Sequence, residues 1–271
     1  ARLLRSVTWS RLLLVFVVVL AILLHRPRGL MARMVTRRRW FGNAAGTLWK
    51  CEVFGAPAGP FRWLGEDERA YGRWELKVGK RRADWRAFYE FLRAIDGGDI
   101  RKVERMLDVE GFLAYCAVCA ATANYDSYLG TGHNFYLYYD APAGVFRFIV
   151  WDLNEAFGRF RAFGGLVGMG DMEVAETGAR KPHLFGRRPL LEMLLGRQKW
   201  RRVYERYLTE AAGFLKPDVF EARVRACARL LLPAVEERER ERFRQGVRRL
   251  VEFARARYLH ILSEFLTPQQ R

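Results

Sequence analysis

Acidic side chains are missing from the first 43 residues, which hold nine Arg, no Lys and no Asp or Glu. Lysine is scarce throughout. Seven of the 47 basic residues are Lys, at 50, 77, 80, 102, 181, 199 and 216, and 40 are Arg. Such an Arg bias is common in GC-rich genomes and says little about partners. Cysteine is sparse as well, with four residues at 51, 116, 119 and 227. Four scattered thiols imply no disulfide framework. Cys116 and Cys119 form C-x-x-C, but inside the apolar run FLAYCAVCAATA. No second pair or nearby His completes a zinc site, so buried free thiols are expected. A run of about twenty apolar residues, the length needed to cross a bilayer, is also lacking. The longest is LLLVFVVVLAILL at 12–24, thirteen residues behind Arg2, Arg5 and Arg11. It fits a signal-peptide core or a membrane anchor, a buried core segment, or an acid-free stretch read from another frame. No internal repeat, helix-turn-helix, finger or base-stacking pattern is visible, which argues against a nucleic-acid module.

What is present is a globular body. The chain has 271 residues and is 51% apolar, enough for one large domain or two small ones. Net charge is +17, of which +9 lies in residues 1–43, so the body is only moderately basic. A surface of this kind favours polyanions without choosing among them. Residues 37–65 read as loops with short strands, and 73–78 alternates like a strand. Residues 83–95 place Trp85, Phe88, Leu92 and Ile95 on one helical face, and 100–107 is a short amphipathic helix. Asp108 is expected to cap an apolar helix reaching about Thr122. Leu190–Leu195, 198–214, 217–231 and 235–266 show helical spacing. The expected class is α+β, mostly α, with one small β-hairpin.

That hairpin carries the unusual chemistry. In YDSYLGTGHNFYLYYDAPAGVFRFIVWDLNEAFG, residues 125–158, Asp126 precedes the first aromatic strand and Asp152 ends the second. Antiparallel strands return to their start, so the two acids are expected to converge. With Asn134 between them they form a plausible site for a divalent cation and a general base, the equipment of phosphoryl transfer. The order helix, Asp loop, Asn, strand, turn, strand, Asp also occurs in protein kinases. The residue types alone fit an Asx-turn at Asp126, a helix cap at Asp152 and a hydrogen-bonded structural His133 more readily than a catalytic site.

Taken together, these segments resemble the spore coat protein H (CotH) kinase family. Its N-x-D, H-N-x-Y-L-Y and W-D-L-D-x-x-F-G patterns match NYD, HNFYLYYD and WDLNEAFG. RRWFGNAAGTLWKC, WELK, LDVEGFLAYCAV and RARYLHIL agree with flanking family segments. The likeness covers residues 37–266, leaving 1–36 as a non-matching segment and 267–271 as a tail. It implies the C-terminal lobe of an atypical protein-kinase-like fold that uses ATP and Mg2+ or Mn2+ to phosphorylate protein hydroxyls. Asp126 is then the proton-accepting or hydroxyl-orienting residue, and Asp152 the metal ligand. Asn134 becomes a metal or loop-ordering ligand, and Trp151 and Phe157 pack the turn. Asn154 stands where the family pattern has a second acid; its carbonyl can still meet a cation but brings no charge. The family's ATP-binding lobe, expected upstream of residue 37, has no counterpart pattern in 1–36. GGLVGMG at 164–170 follows Asp152 and reads as an activation-type loop. This polypeptide alone is therefore expected to transfer phosphate weakly. The alternatives are a non-catalytic coat or surface assembly protein on the same fold, and a basic nucleic-acid binder. The resemblance implies a spore-coat or cell-surface setting, and membrane contact only through 12–24.

Overall fold

The computed structural model describes residues 46–53, 59–78, 82–159, 177–180, 182 and 186–266. The segment 1–36 with its apolar run, the loop 164–170 and the tail 267–271 lie outside them. The protein is α+β, with a four-stranded antiparallel sheet set among helices. The strands are β1 (Gly46–Cys51), β2 (Trp74–Val78), β3 (Phe135–Asp140) and β4 (Val145–Val150), in the order β2-β1-β3-β4. The helices are α1 (Arg82–Asp96), α2 (Ile100–Met106), α3 (Val109–Ala121), α4 (Pro189–Leu195), α5 (Gln198–Gly213), α6 (Pro217–Leu231) and α7 (Arg240–Leu266).

The β3–β4 hairpin forms as its alternating aromatic pattern predicts, closing through 141–144 with Gly144 at φ 67°. It is not an isolated insertion, however. β1 pairs along its whole length with β3, from Gly46 opposite Asp140 to Cys51 opposite Phe135. A strand more than 80 residues upstream thus makes the hairpin the open side of a larger sheet. A lone two-stranded hairpin is marginal in water, so β1 and β2 supply the backbone partners it needs.

One sheet face is aromatic. Trp49, Phe135, Phe146 and Phe148 are buried on it, and Phe135 stacks on Phe148 at 4.8 Å. Phe61, Phe91 and Phe112 complete the layer, each within 6 Å of a sheet ring. Burying one such side chain is worth about 1.5–3 kcal/mol. α3 packs on β4 on one side and on α5 on the other. Contact on both sides explains why α3 is apolar all round, with eleven buried residues. Asp108 caps it as the sequence predicts, accepting from the Gly111 N–H at 3.1 Å. Asp108 also ties the helix to the sheet, since its own N–H donates to Phe146 O at 2.9 Å and its carboxylate meets Arg147 at 2.7 Å.

The last helix starts later than its hydrophobic spacing predicts. Val235 and Glu236 are extended, at ψ 127° and 140°, and α7 begins only at Arg240. Val235 is buried there, so core packing holds the chain out of helix just after Pro233. All four cysteines are free and buried, as expected. Burial pushes the Cys119 thiol up to about 12, well away from thiolate chemistry. Among the described residues no helix is long and apolar enough to cross a membrane.

Candidate functional site

Asp126 sits in a tight loop directly after α3. The helix ends at Thr122, Ala123 turns left-handed at φ 47°, and Asn124 N–H closes back onto Cys119 O at 2.8 Å. The loop then bonds mostly to itself. Ser127 Oγ donates to Asn124 O, Thr131 N–H to Tyr125 O and Gly132 N–H to Ser127 O. Two glycines are needed because the backbone passes close to other atoms. A Cβ on Gly130 would fall 2.0 Å from Tyr125 O, and Gly132 has φ +87°.

The loop presents one carboxylate held by side chains. Asn134 Nδ2 donates to Asp126 Oδ2 at 2.8 Å, and Thr131 Oγ1 donates to Oδ1 at 3.2 Å. His133 Nδ1 lies 2.7 Å from Thr131 Oγ1 and 3.5 Å from Asp126 Oδ1. Asn134 therefore orders Asp126 directly, from a left-handed backbone at φ 55°.

Asp152 lies just beyond β4, exposed, at φ 52°. Residues 154–159 form turns, so the helix that Asp152 could have capped is not there. The turn is fixed by Phe157, also left-handed at φ 60°, whose N–H donates to Thr122 O at 2.7 Å. That bond joins the turn carrying Asp152 to the residues that introduce Asp126. Phe157 packs against Phe220 of α6, as expected of a residue that secures the turn. Trp151 does not pack the turn. It is 45% exposed and meets Tyr136 edge-on at 5.1 Å, because the left-handed step at Asp152 sends the chain away from it.

The site is therefore strained and acidic. The four non-glycine residues with positive φ among those described, Ala123, Asn134, Asp152 and Phe157, all belong to it. Each such conformation costs on the order of 1–3 kcal/mol, least for Asn and Asp, and such residues cluster where function demands them. Burial pushes the Asp126 carboxyl above its usual range. The Asp152 charge pushes the same way, against His133, Thr131 and Asn134. Burial holds His133 below the ordinary imidazole value, and Lys50 adds to this, while Asp126, Glu52 and Asp152 act in the opposite sense. The charge of Asp152 thus reaches both groups.

Among the described residues no three His, Cys, Asp or Glu side chains gather as a metal cage. An oxygen-ligated ion that keeps waters and substrate phosphates needs only one or two protein carboxylates. The donor chemistry fits such an ion. The Asp152 charge acts on the Asp126 carboxyl, and Asn154 Oδ1 is buried without a hydrogen-bond partner while its amide donates to Glu155 at 3.1 Å.

The sequence reading missed three contributors. Thr131 stands two residues before His133 in T-G-H-N, where its bond to Asp126 was open to inference. The Phe157–Thr122 bond and Arg188, described below, link positions 35 and about 60 residues apart, and no local pattern announces them.

A family model described as CotH kinase protein matches residues 32–261. The chain is also similar to inner spore coat protein H of Bacillus subtilis (strain 168), at 24% identity over 148 residues. That match covers 52% of this chain and 37% of the relative.

Proposed function

The chain belongs to the CotH kinase protein family, and from that membership we propose that it is an ATP-dependent protein phosphotransferase working through Asp126 and Asp152. The observation that supports this most is the Phe157 N–H bond to Thr122 O, which sets the Asp152 turn against the Asp126 loop. In this reading Asp126 accepts the proton of a serine or threonine hydroxyl as that oxygen attacks the terminal phosphorus of ATP and ADP departs. Burial favours the role, because it makes the Asp126 carboxylate a stronger base than an exposed one. Asn134 and Thr131 fix its orientation. Asp152 and Asn154 would hold a divalent cation, Mg2+ or Mn2+, which neutralises phosphate charge when bound. Asn134 orders the Asp126 carboxylate through its NH2 group, which leaves its carbonyl oxygen able to meet the same cation.

Two measurements test the reading. Mn2+ added to the chain should broaden the His133 imidazole resonances, and Asp152→Ala should abolish the effect. In the full-length gene product, Asp152→Ala and Asp126→Ala should each lower transfer from ATP to a hydroxyl-bearing protein by at least about 100-fold while leaving the fold intact. Wild-type transfer that survives both changes would remove the proposal.

Asn154 favours a second reading, a non-catalytic coat or surface assembly protein on the same fold. Loss of a charged ligand weakens cation binding without disturbing the scaffold. Absence of ATP binding by the full-length gene product would decide for it.

A further inference from the structure

We propose that Arg188 is a positioning residue that sets the loop carrying Asp126, a role that rests on the reading of that loop as the site of proton transfer. Arg188 is 1% exposed, an unusual place for a guanidinium. Each of its three side-chain nitrogens donates to a backbone carbonyl. Nε donates to Tyr128 O, Nη2 to Gly130 O and Nη1 to Arg187 O. The first two are the middle of the Asp126 loop, between Asp126 and its partners Thr131 and Asn134. The guanidinium also lies 5.9 Å from the centre of the Tyr128 ring.

The residue is itself held rigid. It sits at the N-terminal end of α4, before Pro189, and its backbone N–H donates to Glu192 Oε1 at 2.7 Å. Glu192 also pairs with Arg187 at 2.6 Å. Gly59 passes so close that a Cβ there would meet Arg187 O at 3.2 Å, and a Cβ on Gly132 would lie 3.8 Å from Arg188 Nη2. Three chain segments thus converge on one planar fork. A fork spans two carbonyls in one loop, whereas a lysine ammonium is a single point of contact. Burying a cation is costly, and burial lowers the Arg188 pKa, so the carbonyl bonds are what retain it.

The test is hydrogen exchange on the chain carrying Arg188→Met, Arg188→Gln or Arg188→Lys, read with the His133 titration and Mn2+ binding. Arg188→Met should accelerate exchange at Gly130, Thr131 and Gly132 by about tenfold or more, because the loop carbonyls lose bonds to a charged donor. The β3–β4 ladder and α5 should keep their wild-type rates. The His133 pKa should rise toward its ordinary value as the loop loosens, and Mn2+ affinity should fall about tenfold. Arg188→Lys should restore part of each effect, and Arg188→Gln less. In the full-length gene product kcat should fall with the KM for ATP unchanged.

Unchanged loop exchange, acceleration of all amides together, or failure of all three variants to fold would each overturn the assignment. Absence of Mn2+ binding in the wild type would remove the phosphotransfer reading alone. The exchange and His133 measurements would still report whether Arg188 sets the loop.

Discussion

Asp126 and His133 are 3.5 Å apart, close enough for an ion pair, yet each is pushed toward its neutral form. Burial outweighs their attraction, and of the neighbouring charges only Asp152 raises both. Removing that charge separates the causes. In Asp152→Asn the Asp126 and His133 pKa values should both fall, as read by NMR titration. If neither moves, the two acids do not share a space. His133 also gives the fold an acid sensitivity of known sign. Its folded value lies below the reference of 6.5, so its contribution to stability is complete above 6.5 and is lost as pH falls through the folded value. Asp126 acts oppositely. Its folded value lies above 3.8, so its contribution is complete below 3.8 and is lost as pH rises through the folded value. His133→Gln should therefore flatten the decline in Tm from about pH 7 to pH 5, where His133 dominates.

The elements around the site differ in how they tolerate change. Phe148 stacks on Phe135 and touches Phe112, so it joins the sheet to α3. Phe148→Ala should cost about 3–5 kcal/mol in denaturant unfolding, from lost burial and the cavity left behind. Asp108→Ala removes the α3 cap and the Arg147 ion pair together, and should cost about 1–2 kcal/mol. The loop between α3 and β3 tolerates less than its glycine-rich sequence suggests. Gly130→Ala drives a methyl into Tyr125 O and should loosen the Asp126 loop while α3 keeps its exchange protection. Helix and hairpin periods are local signals, so α1, α2, α3, β3 and β4 were legible within a residue or two. The pairing of β1 with β3 was not, because register between distant strands depends on which apolar faces meet rather than on either strand alone.

Across the whole molecule, the C-terminal helix is bound to the site through buried polar groups. Arg257, fully buried in α7, donates to Ala120 O at the end of α3 and to Thr177 O. Thr177 in turn bonds the Tyr125 hydroxyl beside Asp126. Glu264 accepts the Ala179 and Arg180 N–H groups, and Tyr204 donates to Ala179 O, so residues 177–180 are fastened across α5 and α7. Arg257→Met should leave these carbonyls unsatisfied and lower unfolding stability by about 2–3 kcal/mol. It should also raise exchange near Ala120, which Arg188→Met leaves alone. The two arginines thus approach the Asp126 loop from opposite ends.

The sequence by itself determined the class of elements, the cap at Asp108, the hairpin and the two acids at its ends. These follow from side-chain periods and turn chemistry, which act over a few residues. Tertiary structure alone decided that β1 completes the sheet. It also decided that Phe157 anchors the Asp152 turn to Thr122 and that two buried guanidiniums grip backbone carbonyls. The sheet pairing, the Phe157–Thr122 bond and the arginine–carbonyl bonds join positions 35 or more residues apart, a distance over which no local pattern acts. They persist because the surrounding aromatic core fixes where each backbone group must point.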